Sequence, residues 1–204
     1  LHEQHMSSSI QNAMLYRIRG KGRGWAFSAR HFLDLGGRDA IDKSLSRLAR
    51  KGAIRRVGSG IYDYPKISPE LGVLSPSIDG VAKEVASKNN SRLKITGAQA
   101  ANALGLSTQV PARIVYLTDG PSRQLKIGNQ TIILKHASPK TMATADKGSG
   151  TVIQALRYIG KDNVTPEHIG KIKNSLSDFD KRELRKDINT APEWMKPMIM
   201  KIVE

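Results

Sequence analysis

Lys43, Ser46, Arg47 and Arg50 fall within about two turns of one helix, and their types suit the recognition of anions and base edges. Guanidinium and ammonium groups neutralise phosphates or donate to the acceptor edge of guanine, and a hydroxyl serves either end of a hydrogen bond. Arg55, Arg56 and Ser59 follow among glycines, with Arg23 upstream, and these suit contact with a phosphate backbone or a minor groove. Ser28 and Arg38 complete the candidate contacts. Asp39 is the one carboxylate on the same helical face, and an Asp39–Lys43 pair at i,i+4 would make that face an ordinary solvated one.

The elements that must position these groups lie between Trp25 and Tyr64. Trp25-Ala26-Phe27 is a short β-favouring run, and Ser28 is a good N-cap for a helix carrying Phe32, Leu33 and Leu35 on its apolar face. Gly36-Gly37 ends that helix and lets the chain swing round. Ile41, Leu45 and Leu48 then mark one face of a second helix, closed by Gly52 as its C′ residue. With those three inward, 100° per residue turns Asp39, Lys43, Ser46, Arg47 and Arg50 outward. Residues 54–57, 58–60 and 61–64 read as strand, turn and strand. Two helices, a glycine turn and a hairpin predict a winged helix-turn-helix, with the second helix in a DNA major groove.

Composition narrows the partners. The 204 residues carry 33 Lys+Arg against 18 Asp+Glu, a formal +15. Such a charge points to nucleic acid or an anionic membrane. No apolar run approaches the roughly 18–20 residues of a transmembrane helix, so no membrane partner is expected. The basic excess is uneven: residues 7–66 hold 13 Lys/Arg and 4 Asp/Glu, residues 67–145 hold 9 and 4, and residues 146–204 hold 11 and 9. The surplus therefore concentrates on the helix-turn-helix pattern. There is no Cys, and no secretory leader is visible, so a reducing cytoplasm is the expected location. Leu1–Met6 is not an ordinary chain start and looks like an expression remnant, so the fold is expected to begin at Ser7.

Upstream, Ile10, Met14, Leu15 and Ile18 predict a first helix with Ser7-Ser8-Ser9 as N-cap choices, and Gly20–Gly24 a flexible basic loop near DNA backbone. Residues 65–76, with three prolines and a glycine, give the best domain boundary, dividing the chain into 7–66 and 67–204. Beyond it come a helix on Ile78, Val81, Ala82 and Val85, then one capped by Thr96. Three strands at 112–118, 123–127 and 130–136 predict a small antiparallel meander. From about residue 149 the chain reads as helical: Ser149 as a cap, Thr165-Pro166-Glu167 as a helix start, and capping boxes at Ser177/Asp180 and Thr190/Glu193. Pro197 should kink or shorten the last helix. The fold class expected is α+β, a winged helix-turn-helix followed by a C-terminal α+β domain with a helical end.

Catalytic chemistry is thinly represented. His31, His136 and His168 stand far apart and in no metal-ligand spacing, so no metal, cofactor or enzymatic activity is expected. His31 reads as a surface or DNA-proximal residue. The glycine loop at 20–24 lacks the preceding strand and the GK[ST] ending of a mononucleotide site.

The run RIRGKGRGWAFSARHFLDLGGRDAIDKSLSRLARKGAIRRVGSGIYDYP resembles the N-terminal winged helix of AbiE-type (AbiEi-like) antitoxins, grouped with type IV toxin–antitoxin systems. A later run, ITGAQAANALGLSTQVPARIVYLTDGPSR, is similar to the start of that family's C-terminal domain. The resemblance implies a protein that represses its own operon by binding operator DNA and counteracts a co-encoded nucleotidyltransferase-type toxin without a tight complex. Two other classes stay open: a winged-helix regulator with a C-terminal ligand-sensing domain, and an enzyme or RNA-binding factor using the basic surface differently.

Overall fold

The computed structural model describes residues 2–109, 111–143, 145 and 147–204, with side chains from Ser9 onward. The chain is mixed α+β and divides into two compact units, one comprising residues up to Asn90 with Leu125–Gly128, the other Ser91–Gln124 with Asn129–Glu204.

The first unit opens with α1 (His2–Lys21), which already encloses Ser7–Ser9, so that run is not the helix start; the side chains of Ser7 and Ser8 lie outside the described residues. Then come β1 (Ala26–Phe27), a single 3-10 turn at Ala29–Phe32, α2 (Arg38–Arg50), β2 (Arg55–Gly58) and β3 (Ile61–Asp63). A short hairpin, β4 (Ile67–Ser68) and β5 (Gly72–Val73), precedes α3 (Ile78–Ser87). The helix expected after Ser28 is only that 3-10 turn: Phe32 is fully buried while Leu33 is exposed, so the expected apolar face of Phe32, Leu33 and Leu35 does not form. Met14 and Ile18 from α1, Phe27, Phe32, Ile41, Leu45, Leu48, Ile54 and Tyr62 make one core. Over it lies an antiparallel sheet of order β1-β3-β2.

The division of the chain falls after Asn90 rather than at residues 66/67. The proline-rich stretch is a local hairpin, and α3 beyond it buries Val81, Ala82, Val85 and Ala86 within the first unit. Its Glu84 is hydrogen-bonded to Ser28, which ties the segment back across 56 positions.

After α3 come β6 (Leu93–Ile95), α4 (Gly97–Ala103), β7 (Arg113–Thr118), β8 (Arg123–Ile127), β9 (Gln130–His136), α5 (Pro139–Met142), α6 (Gly148–Ile159), α7 (Pro166–Ser175), α8 (Asp178–Lys186) and α9 (Lys196–Val203), all in the second unit except β8 from Leu125 on. The three expected strands are present, but their sheet has order β6-β7-β9-β8, with β7 and β9 parallel, so it is not a meander. Central placement suits β9, whose Ile132 and Leu134 are buried, better than β8, which is polar along most of its length. The link from β7 to β8 must then pass the end of β9. It is held there by the His136 amide donating to Ser122 Oγ and the His136 ring against the Gly120 carbonyl.

The capping boxes at Thr165/His168 and Ser177/Asp180 start α7 and α8. Thr96 stands at the N-cap of α4, its hydroxyl donating to the Val115 carbonyl rather than to the helix, whereas Ser149 lies inside α6 and donates to Asp187 Oδ2. Thr190 likewise donates to the Asp187 carbonyl, and Pro197 stands in the first turn of a short α9. Val152, Ile153 and Leu156 of α6 pack with Ile172, Leu184, Met195, Ile199 and Ile202 to form the helical core.

Candidate nucleic-acid interface

The rotation of α2 is fixed by what it buries. Ile41, Leu45 and Leu48 are at most 2% exposed and Ser44 lies beside them, so Lys43, Ser46, Arg47 and Arg50 face outward and are exposed. Among the described residues, Lys43 and Arg50 hold neither an ion pair nor a hydrogen bond, and the Asp39–Lys43 pair does not form. The i,i+4 pair on this helix is instead Arg38–Asp42, Nε to Oδ2 at 2.8 Å, so Arg38 is already partnered. The helix ends as its sequence predicts. Gly52 takes φ 71°, and its N–H and that of Ala53 donate to the Ala49 and Leu48 carbonyls at 3.0 Å.

The two arginines of the β2–β3 hairpin differ. Its turn is Ser59-Gly60, Gly60 at φ 65°, and an irregularity between Arg56 and Gly58 shifts the register so that Arg55 stands opposite Asp63. Asp63 is almost fully buried, and the Arg55 fork meets both of its oxygens, Nε–Oδ1 at 2.9 Å and Nη2–Oδ2 at 2.6 Å. Arg55 Nη1 donates to the Leu74 carbonyl at 2.9 Å. Arg55, expected on a phosphate, therefore ties β2, β3 and the chain after β5 together. Arg56 is exposed, with one long bond, Nε to the Gly58 carbonyl at 3.4 Å. Ser59 is exposed at the tip, and its carbonyl accepts from Lys88 Nζ. Arg23 is exposed too, lying 4.6 Å over the Tyr64 ring and donating to the Pro65 carbonyl. The glycine loop that carries it closes against the sheet edge, Gly24 N–H to the Tyr64 carbonyl at 2.6 Å.

Ser28 is not available to a ligand. It is 2% exposed, and its Oγ donates to Glu84 Oε1 at 2.6 Å. The other Glu84 oxygen meets His31 Nε2 at 2.9 Å, so His31, half-buried, is a packing and hydrogen-bonding residue. Burial alone would raise the Glu84 carboxyl; the bonds from His31 and Ser28, with the charges of His31 and Arg30, outweigh it and hold the pKa below the ordinary glutamate range. Arg30 donates to Ser87 at the end of α3, and Arg17 forks onto Asp34 at 2.7 and 2.6 Å. These contacts lock the 3-10 turn between α1 and α3. Sequence reading missed Glu84, which has no local signal because its partners lie 53 and 56 positions away.

Of the ten candidates, the structure leaves Lys43, Ser46, Arg47 and Arg50 together on one exposed helix face, and Arg56 and Ser59 exposed on the hairpin. Among the described residues no cluster of His, Asp and Glu could hold a metal ion, and no helix is long and apolar enough to cross a membrane.

Fold and site thus define a mixed α+β protein with a strongly cationic helix face. It belongs to the family described as a family of unknown function, DUF6088, whose model matches residues 13–184. No curated protein matches the chain. Among solved structures, the crystal structure of the RV2827C protein from Mycobacterium tuberculosis is similar, with 14% identity over 98% of this chain and 76% of that one and a TM-score of 0.45.

Proposed function

We propose that the first unit is a winged helix-turn-helix that binds duplex DNA, with α2 in the major groove and the β2–β3 hairpin as its wing. The observation that carries this reading is the outward face of α2, where Lys43, Ser46, Arg47 and Arg50 are exposed while the opposite face is sealed into the core. A helix face set with exposed cations is suited to donate to base edges, and Arg56 and Arg23 are suited to flank it on phosphates. On the resemblance of its two sequence runs to AbiE-type antitoxins, the protein is a cytoplasmic, non-enzymatic repressor of its own operon. On the same ground it opposes a co-encoded nucleotidyltransferase-type toxin.

The test has two arms. In a fluorescence titration with the DNA upstream of its own gene, Arg50→Ala should lose about 1–3 kcal/mol of affinity and discriminate less against random duplex. Wild-type binding should fall with salt at a log–log slope near about −5 if about six phosphates are neutralised. Unchanged affinity for both duplexes would remove α2 from the groove. In the second arm, co-expression with the neighbouring toxin gene should restore growth. Failure of the full chain to do so would leave a DNA-binding regulator without the antitoxin role.

A further inference from the structure

A cleft of about 160 Å³ in the second unit lies among β6, α5 and α6, lined by Lys94, Lys140, Thr141, Gln154, Arg157 and Thr190. Its polar lining is three cations, an amide and two hydroxyls, and no carboxylate lines it among the described residues. Lys94 is only 6% exposed and donates from Nζ to the Thr141 carbonyl at 2.8 Å. Gln154 is 7% exposed, and among the described residues its side-chain amide makes no hydrogen bond although it borders the cleft. The amide therefore stands open to the cleft, with two N–H groups available to an acceptor beside the three cations. Burial, and then the charge of Arg157, push the Lys94 ammonium pKa down.

We propose that this cleft binds the terminal phosphate of a small molecule, with Lys94, Arg157 and the Gln154 amide as the groups that hold it. Size supports a phosphate head rather than a whole ligand: drug-sized ligands occupy about 300–1,000 Å³, and this cleft is smaller. The rest of the ligand would extend outward past Lys140 and Arg157, both exposed. Depth favours a small molecule over a nucleic-acid strand. An internal phosphodiester, flanked by two sugars, cannot descend to a lysine that is 94% covered, whereas a phosphate with one substituent or none can. The site is independent of the DNA-binding face on α2.

The experiment titrates inorganic phosphate into the ¹⁵N-labelled full chain at fixed ionic strength, with chloride as the control, and follows the Gln154 side-chain amide by NMR. Saturable movement of that resonance is expected, weakened at least about tenfold in Arg157→Gln, a surface change that leaves the core intact. Gln154→Leu, followed at the Arg157 backbone amide, should weaken binding as well. A Lys43→Ala, Arg47→Ala, Arg50→Ala triple variant should bind phosphate as the parent does, so loss of DNA binding and loss of this site are read separately. A 5′-hydroxyl DNA duplex should not displace the phosphate. The proposal is overturned by no saturable shift, by shifts equal with chloride, by displacement with that duplex, or by an Arg157→Gln titration identical to the parent's.

Discussion

The α2 face and the β2–β3 hairpin carry the same kinds of side chain and put them to different use. On α2, Lys43 and Arg50 point outward with no partner among the described residues. On the hairpin, Arg55 spends its fork on Asp63 and a third N–H on Leu74, leaving only Arg56 exposed. One buried carboxylate makes the difference. Asp63 is almost fully buried in the sheet, and the arginine that the strand register brings opposite supplies the hydrogen bonds and charge its carboxylate needs there. A formal charge of +15 therefore overstates what is available to an anionic partner, since it counts cations already committed to the fold.

The largest expected effect comes from breaking that commitment. Asp63→Ala leaves Arg55 without its partner, and Arg55→Ala leaves Asp63 buried and unpaired. Removing one member of a buried pair costs about 3–5 kcal/mol, and because Arg55 is 29% exposed the loss should lie near the lower end. Urea unfolding of the full chain measures it. In the fraction that stays folded, Arg55→Ala should bind DNA nearly as the parent does. If it instead keeps its stability and loses affinity as Arg50→Ala does, hairpin and helix share one role and the contrast drawn above fails.

A second committed carboxylate gives a smaller effect, visible as a pH slope. Glu84 is held below the ordinary glutamate pKa against its own burial by His31 and Ser28, with the charges of His31 and Arg30. A carboxyl depressed in the folded state adds stability above its unfolded pKa, and that stability is lost as pH falls through the folded value. Denaturant unfolding followed on acidification should therefore show the parent losing stability through the carboxylate range, with a flatter slope for Glu84→Gln. Parallel slopes would mean that the Ser28–Glu84–His31 group does not hold α3 to the 3-10 turn.

The legible part of this molecule is the part encoded over short distances. The faces of α2 follow from the spacing of Ile41, Leu45 and Leu48, its end from Gly52, and the starts of α7 and α8 from Thr165 and Ser177. The role of Ser28 is not legible locally, because its partner, Glu84, lies on another element. The hairpin shows how little is needed to mislead. A regular ladder running back from Gly58 opposite Ile61 would set Arg56 against Asp63, but the irregularity between Arg56 and Gly58 moves Arg55 there instead. The hairpin and both arginines are legible in local residue types, but which arginine is already partnered is not. The cleft around Lys94 was illegible for the same reason, since β6, α5 and α6 contribute to it from residues 94 to 157. The order β7-β9-β8 depends on which strand takes the central place, and no local signal in the sequence fixes that.

The smallest predicted effect separates the two hairpin arginines directly. Arg56 is exposed, and its one bond, at 3.4 Å to Gly58, is too long to hold it. If the hairpin lies along the backbone, Arg56 neutralises one phosphate. Arg56→Ala should then weaken binding to the upstream DNA and to random duplex by the same factor and reduce the magnitude of the salt slope by about 1. Stability should not move, since an exposed side chain without an ion pair leaves nothing unpaired behind. Arg55→Ala should do the reverse, lowering stability and leaving the slope alone. The slope is the informative quantity, because partial unfolding mimics weaker binding at any one salt concentration but does not change how many counterions a folded complex releases. A slope that falls in Arg55→Ala and holds in Arg56→Ala would exchange the two roles and place the register shift in doubt.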